Sequence, residues 1–247
     1  MKYHRLSRYK IKRIIFCFAE DINASSASKI LRINRNTINA YYNEIREKIL
    51  QHSLNEQKKE LGEFELDESY FGAHRVRGKR GRGAAGKTPV FGLLKRNGKL
   101  FVTIVPNCSR EELMPIIQGK ILEGSTIHTD GWKAYDGLIL NGYNHYRVFH
   151  SENEFARGKS HVNGIECFWS YAKRRFAKFN GLTDAKFVLH LKETECRFNH
   201  RNDNFASFVE RIFWGEVIGD ASLEPLIKTI TVCWVFFCLQ ILHPWEA

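Results

Sequence analysis

A segment of thirteen residues, His161–Lys173 (HVNGIECFWSYAK), constrains the fold more than any other part of the sequence. Read as a helix with about 3.6 residues per turn, it has a polar stripe on one side and apolar residues on the others. The stripe contains Asn163, Glu166, Ser170 and Lys173. A carboxylate on a largely buried helix needs solvent, a basic partner or a metal ion, because its unpaired burial is costly. Glu166 is therefore expected to be exposed, paired with Lys173, or one member of a metal-binding cluster of carboxylates.

Two other acids have apolar flanks and lie on or at the end of predicted strands. Asp67 belongs to FELDESYFG, an alternating run that stops at Gly72, and Asp130 ends STIHTD before Gly131. Acids are depleted in strand interiors, so their placement here is informative. Glu68 is an alternative to Asp67, because a shift of one residue in the strand register reverses which side chain faces a given side.

From residue 63 onward the pattern predicts an α/β domain with the element order βββαβαβα, followed by one further helix. The strands are predicted at 63–71, 90–94, 100–105, 126–129 and 146–149. The helices are predicted at 110–121, 132–140, 161–173 and 184–199. The second and third strands are joined at Asn97-Gly98, a strong hairpin signal.

Before this domain, the sequence predicts a small all-α region with a helix-turn-helix. The predicted helices are 9–19, a short one through 28–31 that Asn23 or Ser25 caps, and 35–49, which Asn34 caps. The residues predicted to face the DNA major groove are Arg35, Asn36, Thr37 and Asn39. A plain three-helix bundle is the alternative, since Arg32 stands in the turn where such motifs often have glycine. The polar stretch 51–62 is the predicted linker.

Thirty-five residues separate Asp130 from Glu166, and Lys173 follows after six more. With the segments LDESYFG, RGKRGRGAAGKTPVFGLLKRNGK, HTDGWKAY, HVNGIECFW and KFNGL, this arrangement resembles bacterial insertion-sequence DDE transposases of the ISXO-like type, in the RNase H-like/integrase superfamily. The resemblance covers about residues 5–204. It implies an RNase H-like fold, in which acids of the first and fourth strands and of a later helix converge at one end of the sheet.

The resemblance also implies an activity and a set of site residues. Asp67, Asp130 and Glu166 would hold two Mg²⁺ or Mn²⁺ ions, and Lys173 would contact a phosphate near the scissile bond; Asn163 is an alternative ligand. Hard oxygen ligands without histidine or thiolate suit these ions. The chain would bind the terminal inverted repeats of its element, cleave double-stranded DNA and join the cut end to target DNA.

The implied organisation is a helix-turn-helix domain at 1–60, a catalytic domain at 61–205 and a C-terminal tail of uncertain structure at 206–247. The implied partners are transposon-end and target DNA, bound by a homo-oligomer. Two alternatives are a catalytically inactive DNA-binding regulator and an RNase H-like nuclease or resolvase that cleaves without joining. A cytoplasmic protein without a membrane partner is expected.

The charge distribution supports a polyanionic partner. The 247-residue chain carries a net charge of +11, and residues 75–99 hold nine basic residues and no acid. The glycine-rich part of this range, 75–87, is a predicted loop. Its residues assigned to DNA phosphates are Arg77, Lys79, Arg80 and Arg82. The same loop contains GRGAAGKT, which matches the phosphate-loop pattern, but a hairpin strand and no helix follows it. Nucleotide hydrolysis is therefore not expected.

Two further features are the cysteines and an apolar run near the C-terminus. The six cysteines have neither CxxC nor zinc-finger spacing and are expected to be reduced thiols. The apolar run 230–242 is too short to span a bilayer. A buried helix or strand, an oligomer contact, or an unselected extension produced by a shifted reading frame is expected there.

Overall fold

The computed structural model describes residues 6–56, 58–72, 87–130, 135–148, 162–179 and 182–215. Its helices are α1 (Arg8–Ala19), α2 (Ala24–Leu31), α3 (Arg35–Asn55), α4 (Arg110–Lys120), α5 (Asn163–Phe176), α6 (Asp184–Asn199) and α7 (Phe205–Trp214). Its strands are β1 (Glu63–Gly72), β2 (Lys87–Lys95), β3 (Leu100–Ile104), β4 (Thr126–Asp130) and β5 (Asn144–Val148). The loop residues Arg77, Lys79, Arg80 and Arg82 and the apolar run 230–242 lie outside the described residues.

The N-terminal helices have defined starts and a tight turn. The Asn23 side chain accepts a hydrogen bond from Ser26 N at 2.9 Å and begins α2, and Asn34 accepts one from Asn36 N at 2.8 Å and begins α3. Between these helices Arg32 adopts the left-handed conformation, with φ 53° and ψ 42°. That conformation favours glycine, so the three-residue turn forms at a small backbone cost.

Helix α3 is longer than the sequence predicts, because it continues through Asn55 into the predicted linker. Its C-terminal part contacts the rest of the fold. Ser53 Oγ donates to Glu195 Oε1 of α6 at 2.9 Å, and Lys99 Nζ donates to Glu56 Oε1 at 2.6 Å. The end of α3 is therefore fixed against the rest of the fold at two points.

The five strands form one mixed sheet with the order β3-β2-β1-β4-β5. β1, β2 and β3 are successive antiparallel neighbours, whereas β4 pairs parallel to both β1 and β5. The hairpin between β2 and β3 turns at Asn97, whose φ of 56° is positive as the Asn-Gly signal predicts. The mixed five-stranded sheet predicted from the sequence is thus observed.

Each sheet face is covered by helices. One face packs on α4 through a cluster of buried residues that includes Leu66, Phe91, Leu113 and Ile127. The other face packs on α5 and α6 through a second cluster, in which Val90, Phe168, Trp169 and Leu191 take part. β1 contributes alternate residues to the two faces, so a single strand faces both layers.

A third cluster joins the N-terminal helices to the C-terminal part of the described chain. α1 and α3 supply most of it, and Phe208, Val209, Ile212 and Phe213 of α7 are buried in the same cluster. Helix α7 begins one residue before the segment 206–247, for which the sequence predicted no definite structure, and extends into it. The N-terminal helices therefore share their core with α6 and α7.

The connection from β4 to β5 differs from the predicted helix at 132–140. Over its described part it forms turns and a 3-10 helix at Ile139–Asn141. The 3-10 helix ends at Gly142, whose φ of 80° is left-handed. In the part of the chain that the structure describes, no helix is both long and apolar enough to cross a membrane.

Candidate active site

Asp67 lies in the middle of the sheet, on the face that α5 covers. It pairs across the strands with Gly92 of β2. Side chains alternate along β1, so Glu65, Asp67 and Phe71 share one face, and Phe71 packs edge-on against Trp169 of α5 with ring centroids 6.1 Å apart. The strand register thus directs Asp67 and not Glu68 towards the helix that carries Glu166.

Gly92 allows α5 to approach this part of the sheet. A Cβ at Gly92 would lie 2.8 Å from Cζ2 of Trp169 and 3.0 Å from Cδ1 of Ile165. Any side chain here would push the helix away from the strand opposite Asp67. The indole of Trp169 lies beside Asp67 and lowers the pKa of that carboxyl.

Asp130 ends β4, the parallel neighbour of β1. The observed register pairs Glu63 with Thr126 and Glu65 with His128. Continued by two residues, the same register would place Asp67 opposite Asp130, and Asp130 is close enough to raise the pKa of Asp67. Asp130 is the last residue of β4, so the two acids lie together where β4 ends alongside β1.

Glu166 lies in the first turn of α5, and its side chain is exposed. The apolar side of the helix is buried, as the sequence pattern predicts, through Ile165, Phe168, Trp169 and Ala172. Its exposed side carries Glu166, which is close enough to Asp67 to raise the pKa of that carboxyl.

The three acids affect one another electrostatically. The pKa of Asp67 rises from its ordinary value of 3.8 to about 6, first because burial penalises the charged form and then because Asp130 and Glu166 add negative charge. A hydrogen bond from the backbone of Glu68 opposes this rise. The structure therefore brings Asp67, Asp130 and Glu166 within electrostatic range of one another.

This arrangement fits a cation, although the side chains are not gathered around one. Within the described ranges, no group of three or more acidic, histidine or cysteine side chains is arranged closely enough to hold a metal ion. The donor set is all oxygen, and Asp67 carries an electrostatic cost that a divalent cation would offset. Asp67, Asp130 and Glu166 are the residues that would hold Mg²⁺ or Mn²⁺.

Glu68 is engaged on the opposite face of the sheet. The hydroxyl of the fully buried Tyr135 donates a short hydrogen bond to Glu68 Oε1. Burial first, and the Glu68 charge second, raise the pKa of Tyr135 well above its ordinary value. Glu68 thus connects Tyr135 to β1. This structural role differs from the role of metal ligand, for which Glu68 was an alternative to Asp67.

The other predicted site residues lie on exposed surfaces. Lys173 is exposed on α5, two turns after Glu166, and Asn163 is exposed at the first position of that helix. At the start of α3, Arg35, Asn36 and Asn39 are exposed, and Thr37 is half-buried. These residues are accessible to a ligand as large as DNA.

Sequence reasoning missed the residues that place α5. Gly92 and Gly164 allow its close packing, and Glu65 accepts a hydrogen bond from its first turn. A glycine in a strand interior and a glycine at a helix start were signals for close backbone approach. The contact of Glu65 had no sequence signal, because its partner lies 100 residues away.

The strand order β3-β2-β1-β4-β5, with helices on both faces of the sheet, is that of the RNase H-like class. The model of the ISXO2-like transposase domain matches residues 59–199, more than half of the chain. The chain therefore belongs to the ISXO2-like transposase family.

Two curated relatives agree with this membership. A transposase-like protein of Haemophilus influenzae is 41% identical over 102 residues, covering 41% of this chain and 82% of that protein. A protein in transposable element ISH50 of Halobacterium salinarum is 30% identical over 152 residues, covering 55% of this chain. The chain spans about half (52%) of the length of that second relative.

Solved structures of Mos1 transposase are also similar. The Mos1 strand transfer complex has a TM-score of 0.26 at 9% identity and covers 90% of this chain and 82% of that one. A Mos1 paired-end complex with the left transposon end has a TM-score of 0.28 at 9% identity and covers 86% and 82% of the two chains. Similarity at this level adds nothing to the fold derived above.

Proposed function

We propose that the chain is the DNA transposase of an insertion sequence and that it cleaves and joins DNA at the edge formed by β1, β4 and α5. The observation that supports this most is the placement of three acids from separate elements, Asp67 on β1, Asp130 at the end of β4 and Glu166 on α5, close enough for the second and third to act on the charge of the first. Acids placed close together against their mutual repulsion indicate a site whose partner is a cation.

In the proposed site, Asp67, Asp130 and Glu166 hold two Mg²⁺ or Mn²⁺ ions. When bound, such ions lower the pKa of a nucleophilic hydroxyl and stabilise the charge on a phosphodiester. The chain's own contribution is to fix three carboxylates on a sheet and a helix, where packing limits their movement. Lys173 lies two turns beyond Glu166 on an exposed side of α5 and would bind a DNA phosphate.

Water is the proposed first nucleophile, and it releases a 3′-hydroxyl at the element's end. That hydroxyl then attacks a phosphodiester of target DNA, so one phosphodiester is exchanged for another. No side chain forms a covalent bond to DNA in this scheme.

We propose that α2 and α3 bind the ends of the element as a helix-turn-helix. The two helices flank a three-residue turn, and the first residues of α3 are exposed. Arg35, Asn36, Thr37 and Asn39 would read base edges in the major groove. The basic residues Arg77, Lys79, Arg80 and Arg82 would add phosphate contacts, and a homo-oligomer would hold two ends together.

One assay tests the proposal. Supercoiled plasmid carrying labelled element ends is incubated with the protein and Mg²⁺, and binding, cleavage and strand transfer are scored separately. All three are expected. Binding without cleavage would support the inactive regulator, and cleavage without joining would support the nuclease or resolvase. Glu123→Gln, a change of an exposed acid away from the site, is the matched control.

A further inference from the structure

Helix α5 begins without a local cap. Val162 occupies the N-cap position and forms no side-chain hydrogen bond to the helix. The first bond within the helix runs from Glu166 N to Val162 O at 3.2 Å. The amide of Ile165 has no helical partner and donates instead to Glu65 Oε2 of β1 at 3.0 Å. A strand residue 100 positions earlier thus caps the helix that carries Glu166.

The surroundings of Glu65 make this contact strong and specific. The Glu65 side chain is only 2% exposed, and Arg96 Nε donates to its second oxygen at 3.1 Å. A charged acceptor at a helix N-terminus gains from the aligned backbone dipoles as well as from the hydrogen bond.

Gly164 is needed for the same contact. A Cβ at Gly164 would lie 2.9 Å from Glu65 Oε2 and 2.6 Å from Leu94 Cδ2. The helix can therefore reach the carboxylate only because this position has no side chain.

We infer that Glu65 is a positioning residue that fixes the first turn of α5, and with it the carboxylate of Glu166, against Asp67. The inference rests on the proposed function for its catalytic consequence. Ile165 is the immediate neighbour of Glu166, so loss of the Glu65 contact frees the backbone that aims the Glu166 carboxylate. Glu65 itself remains beneath the helix, where the Ile165 amide and Arg96 occupy both of its oxygens.

The test compares Glu65→Gln with Glu63→Gln in the full chain. Both acids lie on β1, and both accept a hydrogen bond from Arg96. Glu63 differs because it is exposed and, among the described residues, its carboxylate pairs with Arg96 alone, with 3.0 Å between Arg96 Nη1 and Glu63 Oε2. Glu63→Gln therefore weakens the Arg96 pair and leaves the cap intact. Gly164→Ala is a second variant, which disturbs the same contact from the helix side.

Two measurements are expected to separate the variants. Removal of groups that support metal ligands costs about 10-fold in metal affinity. The Mg²⁺ concentration that gives half-maximal cleavage should rise about 10-fold in Glu65→Gln, with the rate recovering at saturating Mg²⁺, and should not change in Glu63→Gln. In EDTA, the amides of Ile165 and Glu166 should exchange with solvent faster in Glu65→Gln and in Gly164→Ala, while those of β1 exchange at the parent rate.

Each result supports or overturns the inference. Equal shifts in Glu65→Gln and Glu63→Gln would assign the effect to the Arg96 pair and reject the cap. An unchanged Mg²⁺ requirement in Glu65→Gln would also reject it. If the parent chain shows no Mg²⁺-dependent cleavage, the proposed function fails, and the exchange of the Ile165 amide then decides the positioning role alone.

Discussion

Replacing Asp67 by asparagine should stabilise the metal-free protein while removing its activity. In the folded chain the pKa of Asp67 is about 6, against an ordinary value of 3.8. Each unit of pKa corresponds to about 1.4 kcal/mol, so the folded state bears up to about 3 kcal/mol when Asp67 is charged. Asparagine has nearly the same shape and no charge, and we expect it to recover about 1–3 kcal/mol of unfolding free energy.

The pH dependence of this gain follows from the sign of the shift. Because the folded pKa lies above the ordinary one, the folded state binds more protons between pH 3.8 and about 6. The contribution of Asp67 to stability therefore falls as pH rises through this window, and its cost is complete above it. The advantage of Asp67→Asn should be full at pH 8 and absent at pH 3.5 or below.

Urea denaturation in EDTA at pH 8 and pH 3.5 measures both quantities, with Glu123→Gln as the control. Mg²⁺ adds a second comparison, because a ligand that binds only the folded state at ten times its Kd stabilises by about 1.4 kcal/mol. The parent should gain this stabilisation, and Asp67→Asn should not. An Asp67→Asn variant that is no more stable than the parent in EDTA at pH 8 would falsify the electrostatic reasoning.

Three further predictions concern the remaining parts of the proposal. Asp130→Asn and Glu166→Gln should each lower Mg²⁺-dependent cleavage by at least about 100-fold and leave end binding within about twofold. Plasmid cleavage and gel shift measure the two quantities. If either variant kept a few per cent of the cleavage, the residue replaced in it would not be a metal ligand. Arg35→Ala and Asn39→Ala should each weaken binding to cognate ends by about 5- to 150-fold relative to scrambled DNA, since a base contact is worth about 1–3 kcal/mol, and equal losses on both DNAs would instead indicate phosphate contacts. Deletion of residues 6–56 should give an insoluble product because it uncovers the buried surface of α7, and a soluble fragment with cooperative unfolding would show that the sheet domain folds alone.

Local patterns predicted most of the elements. Helix α6 has the predicted bounds, 184–199, and α4 and the β2–β3 hairpin agree within a few residues. These elements carry their own signals, such as helical periodicity and the Asn-Gly turn at Asn97. The predicted helix at 132–140 was wrong over its described part, where the chain forms turns and a 3-10 helix that ends at the left-handed Gly142.

Features that depend on distant contacts were not predictable. Helix α3 extends to Asn55 through a polar stretch that contacts α6 at Ser53, and polarity alone suggested a linker. Helix α7 is amphipathic, yet only the folded chain shows that its apolar side completes the N-terminal cluster. The same reasoning applies to Glu65, whose alternation in β1 indicates a face but not a partner 100 residues away.

The buried charges of α6 link the N-terminal helices to the site. Glu193 is fully buried and accepts from Arg46 of α3 at 2.7 Å, from Arg197 at 2.9 Å and from Arg175 of α5. Burial alone would raise the pKa of Glu193, but the guanidiniums outweigh burial and lower it to about 2. The contribution of the charged Glu193 to the stability of the fold is therefore lost only as pH falls from about 4.5 towards 2. Glu193 thus joins α3, through Arg46, to α5, through Arg175, and α5 also carries Glu166. In the proposed function, DNA bound at the start of α3 would therefore be held in a fixed orientation relative to the three acids by helix packing and not by a flexible linker.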